Sequence, residues 1–247
     1  MPQFDLPLDQ LVTYLPDREE PADFDDFWRR TLDEQDAEHP LEATFEQVDT
    51  GLTEIVTEDV TFIGFGGQPV KAWLHRPARA TGPLPTVVTY IGYGGGRGLR
   101  HEHVLHAAAG RAHLVMDNRG QGSGHQIGDT GDSGQTGAHA AGFLTSGIDS
   151  PETYFYRRIF TDAERAVRVA RGHDAVDTSA VMVSGGSQGG ALCLGCRGPH
   201  RAARRPRGAC AAGGDRRRAL PGARPTGVGG HGCPALRRAR RVPAHAP

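Results

Sequence analysis

Residues 1–192 contain no cysteine, so no disulfide framework staples that part of the chain. No apolar run approaches the length needed to span a bilayer, which argues against a membrane anchor. The opening MPQFDLPLDQ lacks the basic and apolar regions of a secretory signal. Together these absences lead us to expect a soluble, cytoplasmic protein. No Gly-Lys-Ser/Thr is present either, which removes a P-loop nucleotide site.

The most uneven absence lies in residues 195–247. That segment has no Ile, Met, Phe, Tyr, Trp, Lys, Glu, Gln, Asn or Ser, and its large aliphatics are Leu220, Val228, Leu236 and Val242. Four such side chains cannot offset ordering the backbone, at roughly 1–2 kcal/mol per residue. A disordered tail is expected. It carries 13 arginines against one acid, Asp215, so the overall charge of −1 conceals an acidic 1–194 and a basic 195–247. Such asymmetry can mark an arm for nucleic acid, and without aromatics any contact would be nonspecific. The narrow alphabet has a plainer reading. Arg, Ala, Gly, Pro, Cys and His are what GC-rich DNA encodes in a shifted frame, which points to a frameshift near codon 195. Nucleic acid is therefore not the expected partner. Cys193, Cys196, Cys210, His231 and Cys233 fit no standard zinc spacing, and no metal or cofactor is expected.

Upstream, the pattern is that of one α/β domain. Phe24, Phe27, Trp28 and Leu32 recur at helical spacing behind a capping Asp23. EDVTFIGFGGQPVKAWLHRP reads as two strands around a Gly-rich turn. LPTVVTY and AHLVM are short apolar strands, and HEHVLHAAAG between them looks helical. Residues 117–150 form a long connection rich in Gly, Asp, Ser and Thr, a length usually reserved for function. Ser150 and Pro151 suit the start of a helix whose apolar face is Ile159, Ala163, Ala166, Val167 and Ala170. Strands alternating with helices predict a mostly parallel sheet with helices on both faces.

SAVMVSGGSQGGALCL closes the readable region as strand, turn and helix. Gly185-Gly186-Ser187-Gln188-Gly189 fits the G-x-S-x-G nucleophile elbow, with Ser187 as the catalytic nucleophile and Gly185 and Gly189 giving the turn room. An acyl-transfer serine needs two backbone N–H donors for its oxyanion. One belongs to the residue after the serine, Gln188. The other comes from the loop after an earlier strand, which makes the Tyr93 N–H in IGYGGGRG the natural candidate. A dinucleotide loop with Asp117 on the next strand is the competing reading. Arg97 stands where that fingerprint needs Gly or Ala.

Arg-Gly-Gln-Gly at 119–122, GGSQGG at 185–190 and GYGGGRG at 92–98 together resemble the acetyl xylan esterase/cephalosporin-C deacetylase family. FDLPLDQLVTYLPDREEPADFDDFW and GFLTSGIDSPETYFYRR extend the resemblance from the N-terminus to about Leu194. It implies an α/β-hydrolase fold, cofactor-free serine esterase chemistry on small acetyl esters, and often a homo-hexamer. It assigns Arg119, Gly120 and Gln121 to a motif that would brace the loop around the site, since a planar guanidinium suits several carbonyls or a carboxylate.

The pattern breaks after the elbow. This fold orders its triad as Ser, then Asp or Glu, then His. Beyond Ser187 stand one acid, Asp215, and His200, His231 and His245, none followed by Glu; His101-Glu102 lies upstream. Residues 1–194 then read as a truncated hydrolase domain with a missing or replaced C-terminal part and an unpaired last strand. Little or no esterase activity is expected of the chain as written. The alternative is a non-catalytic hydrolase-derived scaffold with a basic arm. Another α/β hydrolase, such as a peptidase or lactone hydrolase, would share the elbow but not the other two motifs.

Overall fold

A computed structural model of the chain describes residues 6–15, 17, 19–134, 142–196 and 211–212. Its centre is one seven-stranded sheet ordered β1-β2-β3-β5-β4-β6-β7. The strands are β1 (Ala43–Val48), β2 (Ile55–Ile63), β3 (Pro69–Pro77), β4 (Leu84–Tyr90), β5 (Ala112–Met116), β6 (Val176–Gly185) and β7 (Ala211–Ala212). The first three strands and the β3–β5 contact are antiparallel. From β5 outward the pairings with β4, β6 and β7 are all parallel. Three pairings of each kind make the sheet more mixed than the sequence suggested, because the β2–β3 hairpin adds its strands on the antiparallel side.

All five residues of β5 are buried, which places it at the centre of the sheet. Alternation along the strands sorts the two faces. Val60, Phe62, Ala72, Leu74, Val88, Tyr90, Leu114 and Met116 join the main core under α4 (Phe155–Arg171) and α5 (Gln188–Gly195). Burial of these apolar side chains supplies the main drive to fold. The helix α2 (Phe24–Glu38) joins through Trp28, whose ring meets Phe160 edge-on at 5.8 Å. A short α1 (Leu8–Leu11) precedes it, with no buried residue. The opposite face carries Trp73 and Val115 with His75 and His113, beside α3 (Leu105–Ala108).

Three elements differ from the sequence reading. The helix in HEHVLHAAAG shrinks to four residues, because His103 adopts φ +58° before it and Gly110 φ +81° after it. Both values leave the right-handed helical region. The long helix starts at Phe155 rather than near Ser150, since Tyr154 is extended at φ −63°, ψ 131°. Ser150 instead serves a preceding turn, its Oγ accepting the Glu152 N–H at 3.2 Å. That turn closes as the Thr153 hydroxyl donates to the Gly147 carbonyl at 3.0 Å. Gly147 is obligatory there: its φ is +67°, and a Cβ would lie 2.1 Å from the Thr153 carbonyl oxygen.

The last strand is also not wholly bare. Ala211 and Ala212 pair with Ser184 and Gly185 at the C-terminal end of β6. Among the described residues the rest of that edge has no strand beside it, the geometry that invites further pairing. The helix α5 continues to Gly195 with Cys196 as its C-cap. The rest of the arginine-rich segment lies outside the described residues, as do Cys210, His231 and Cys233. Neither Cys193 nor Cys196 forms a disulfide among the described residues. Among the described residues no group of three or more His, Cys, Asp or Glu is placed to hold a metal. No helix there is long and apolar enough to cross a membrane.

Candidate active site

The turn between β6 and α5 has the geometry that its glycines predict. Ser187 sits at φ +55°, ψ −122°, a conformation that a non-glycine residue adopts only under strain. A Cβ on Gly185 would come within 2.4 Å of the Gly189 carbonyl carbon, and one on Gly189 within 2.1 Å of the Tyr90 carbonyl oxygen. Strand and helix therefore approach too closely for side chains at either position. The result is a sharp corner with Ser187 exposed at its tip.

The loop after β4 lies against this corner. A Cβ on Gly92 would stand 3.6 Å from the Gly186 carbonyl oxygen and 3.9 Å from the Ser187 Cβ. Tyr93, the next residue, is anchored through its hydroxyl, which accepts the Gly142 and Phe143 N–H groups at 2.8 and 3.0 Å. Gln121 joins the loop to the corner. Its Oε1 accepts the Gly94 N–H at 2.6 Å, and its Nε2 donates to Gln188 Oε1 at 3.2 Å. The Tyr156 hydroxyl donates to the same Gln188 oxygen at 2.9 Å. Both side-chain amides are buried. The loop and the first residue of α5 are thus held in one network.

Arg119 is 1% exposed and grips Asp162 of α4 through two bonds, Nε to Oδ2 at 2.5 Å and Nη2 to Oδ1 at 2.8 Å. Its Nη1 reaches Asp132 at 3.3 Å, and Asp132 is gripped in turn by Arg158 at 2.7 and 3.1 Å. Burial alone would lower the Arg119 pKa, but the charges and hydrogen bonds of Asp162 and Asp132 raise it above its ordinary value. For Asp132, burial pushes upward, and Arg158 with Arg119 more than reverses it, so its pKa is lowered. Gly120 takes φ +66° between these anchors, and its N–H donates to the Thr130 carbonyl at 2.8 Å. Burial of Arg119 and Gln121 therefore excludes a solvated turn for the Arg-Gly-Gln stretch.

Besides Tyr156, three participants were given no role in this site by the sequence reading. Asn118 is fully buried, and its Nδ2 lies 3.1, 3.2 and 2.9 Å from the Ile91, Gly92 and Gly95 carbonyls. Arg97, which broke the dinucleotide fingerprint, stacks 3.8 Å above the Trp73 ring and bonds Asp59 at 2.7 Å and Asp129 at 2.9 Å. Asp117 accepts the backbone N–H groups of Arg97, Asn118 and Asp129 at 2.8, 3.1 and 2.6 Å. Burial nevertheless raises its pKa. With its oxygens taken by these loops, Asp117 is not presented to a ribose.

The base is what the described residues do not bring to this corner. Among them, no histidine is hydrogen-bonded to Ser187, and none of the residues after it is His, Asp or Glu. His173 meets Glu58 at 3.3 Å, but Glu58 lies on the antiparallel hairpin strand β2. His75, His103, His106 and His113 cluster on the α3 face of the sheet.

A half-parallel sheet sandwiched by helices, with a strained serine at a strand-to-helix corner, defines an α/β-hydrolase. Comparison with known proteins is more specific. The family model of acetyl xylan esterase (AXE1) matches residues 1–207. The acetyl xylan esterase from Paenibacillus sp. R4 is 35% identical and superposes with a TM-score of 0.69 over 77% of this chain and 60% of its own. Acetyl xylan esterase 1 from Thermoanaerobacterium sp. JW/SL YS485 is 30% identical, also with a TM-score of 0.69, over 78% of this chain and 59% of its own. The acetyl esterase Axe7A of Xylanibacter ruminicola is 28% identical over 184 residues, 72% of this chain and 41% of that protein. The chain belongs to the acetyl xylan esterase family, and spans about three-fifths or less of the length of these relatives.

Proposed function

We propose that the site is that of a serine carboxylic ester hydrolase that removes acetyl groups from acetylated sugars or related small esters, cephalosporin C among them. The observation that carries this reading is the strained Ser187 corner with the Gly92–Gly94 loop against it. In this scheme the Ser187 Oγ attacks the acetyl carbonyl, and the Tyr93 and Gln188 N–H groups receive the negative charge on its oxygen. The alcohol then leaves, and water releases acetate from the acyl-serine. Arg119, Gly120 and Gln121 brace the loop, while Gly185 and Gly189 permit the corner. Membership of the family and likeness to its solved esterases support the reading as an ester hydrolase.

A complete catalyst also needs an imidazole to take the hydroxyl proton. None of the described residues supplies it, so the 247-residue chain is proposed to be impaired. In a comparable triad enzyme, loss of serine or histidine costs about a millionfold. We further propose a cytoplasmic protein that can form homo-oligomers, up to the hexamer that the resemblance implies. The decisive assay is p-nitrophenyl acetate hydrolysis by the chain and by Ser187→Ala. Slow turnover that falls further in Ser187→Ala fits the proposal. Turnover of ordinary enzymatic magnitude would refute the impairment, and identical rates in the two proteins would refute the nucleophile.

A further inference from the structure

A backbone N–H can stabilise an oxyanion only when its peptide plane is turned toward the reacting carbon, and glycine-rich loops do not fix that plane themselves. The plane that matters on the β4 side is the peptide joining Gly92 to Tyr93. Its two polar ends are the Gly92 carbonyl and the Tyr93 N–H, which point in opposite directions across a trans bond. Whatever holds the Gly92 oxygen therefore aims the Tyr93 hydrogen.

Two donors hold that oxygen: the Gly95 N–H at 3.2 Å and Asn118 Nδ2 at 3.2 Å. The same Nδ2 lies 3.1 Å from the Ile91 carbonyl and 2.9 Å from the Gly95 carbonyl, so one amide group gathers three successive bends of the loop. The three surrounding carbonyls fix the orientation of the amide, since an oxygen there would face only acceptors. Asn118 itself is anchored, fully buried, with its N–H donating to Asp117 at 3.1 Å. Its Oδ1 is buried with no partner among the described residues. An unmatched buried oxygen weakens the fold, so the residue is poorly explained as a device for stability.

We infer that Asn118 is a positioning residue of the oxyanion site: by restraining the Gly92 carbonyl it points the Tyr93 N–H at the carbonyl oxygen of the bound ester. The inference rests on the reading of Ser187 as nucleophile. It requires no substrate contact by Asn118, and the removal of its NH2 leaves the Tyr93 donor present but its peptide held by the Gly95 N–H alone.

The test uses a Ser187→Cys background, in which the thiolate reacts without a general base. Acetylation of the introduced thiol by p-nitrophenyl acetate passes through a tetrahedral oxyanion and expels p-nitrophenolate. Alkylation of the same sulfur by iodoacetamide displaces iodide at a saturated carbon and forms no oxyanion. Both rates are read at position 187 by site-resolved mass spectrometry, in the background and with Asn118→Leu or Asn118→Ala added. Thermal melts identify which variants are folded, and the smaller alanine serves if leucine does not fit. Complete loss of an oxyanion donor costs about a hundredfold to a thousandfold, and a mis-aimed donor less. The expected result is an acetylation-to-alkylation ratio at least about tenfold lower in the Asn118 variants. A ratio that stays constant, whether both rates hold or both fall, overturns the inference. If the introduced thiol of the background is acetylated no faster than in urea-unfolded chain, the Ser187 reading fails and the inference falls with it.

Discussion

Acidification to pH 5 should weaken the fold through two histidines buried on the α3 face. His75 shares a 2.9 Å hydrogen bond with the Thr57 hydroxyl, and its Nε2 is buried without a partner among the described residues. His113 Nδ1 donates to the His103 carbonyl at 2.7 Å, so its Nε2 accepts from the Thr89 hydroxyl at 2.8 Å. Burial holds both rings neutral at pH 7. Burial lowers the pKa of His75 to about 4, with the neighbouring His103 adding to it. Burial likewise takes His113 to about 3, against the pull of the His103 carbonyl and with help from His106, His75 and His103.

The unfolded chain binds protons at these rings from about pH 6.5 downward, and the folded chain does not until pH 4 or 3. Stability is therefore complete above pH 6.5 and declines as pH falls toward those values. At pH 5 each ring contributes a loss of about 2 kcal/mol, from 1.36 kcal/mol per pH unit over about one and a half units. The pair removes about 4 kcal/mol, against a total stability of about 5–15 kcal/mol for a typical domain. For a chain of this size that is about 8–16 °C in melting temperature. The assay compares melts at pH 7.5 and 5.0 for the parent and for His75→Asn/His113→Asn, whose amides do not titrate. Other groups, such as Asp117 with its raised pKa, cancel in this comparison. The double variant should begin less stable yet lose far less on acidification. Equal losses in the two proteins, or NMR titration of either ring near pH 6.5, would refute the reasoning.

Two further outcomes follow from contacts at the corner. Asp162→Ala should destabilise the fold by about 3–5 kcal/mol in urea titrations, because it leaves the buried Arg119 guanidinium without its two shortest bonds. Gly189→Ala should cost about 1–3 kcal/mol or more by the same measurement, since its methyl would meet the Tyr90 carbonyl oxygen at 2.1 Å. Gly82→Ala, with no atom within 4 Å of the added carbon, is the matched control and should be nearly neutral.

Short apolar runs, β-branched in β4, made β4 and β5 legible in the sequence, and the elbow was legible because its glycines are a steric necessity. Positions that depend on left-handed or extended single residues were not. His103 at φ +58° and an extended Tyr154 shift two helix starts, and no propensity announces either. The charged side chains of α4 were the larger blind spot. Arg158, Asp162 and Arg165 lie outside the apolar face read from the sequence, yet all three are buried. Arg165 instead donates to the backbone carbonyls of Gln35, His39 and Ile63 at 2.7–2.9 Å. Asn118 and Tyr156 escaped notice for a related reason: each acts through a partner distant in sequence, and neither sits in a spaced pattern.

The buried knot of Arg119, Asp132, Arg158 and Asp162 has a dynamic corollary. Opening the 119–132 loop alone would strand the Asp162 carboxylate and the Arg158 guanidinium of the long helix in a buried interior, so the loop has no easy way to breathe apart from that helix. The two should exchange their amide hydrogens as one cooperative block, with protection set by the knot rather than by the loop's own glycines. A segment that by composition resembles a flap is thereby turned into fixed scaffolding beneath the serine.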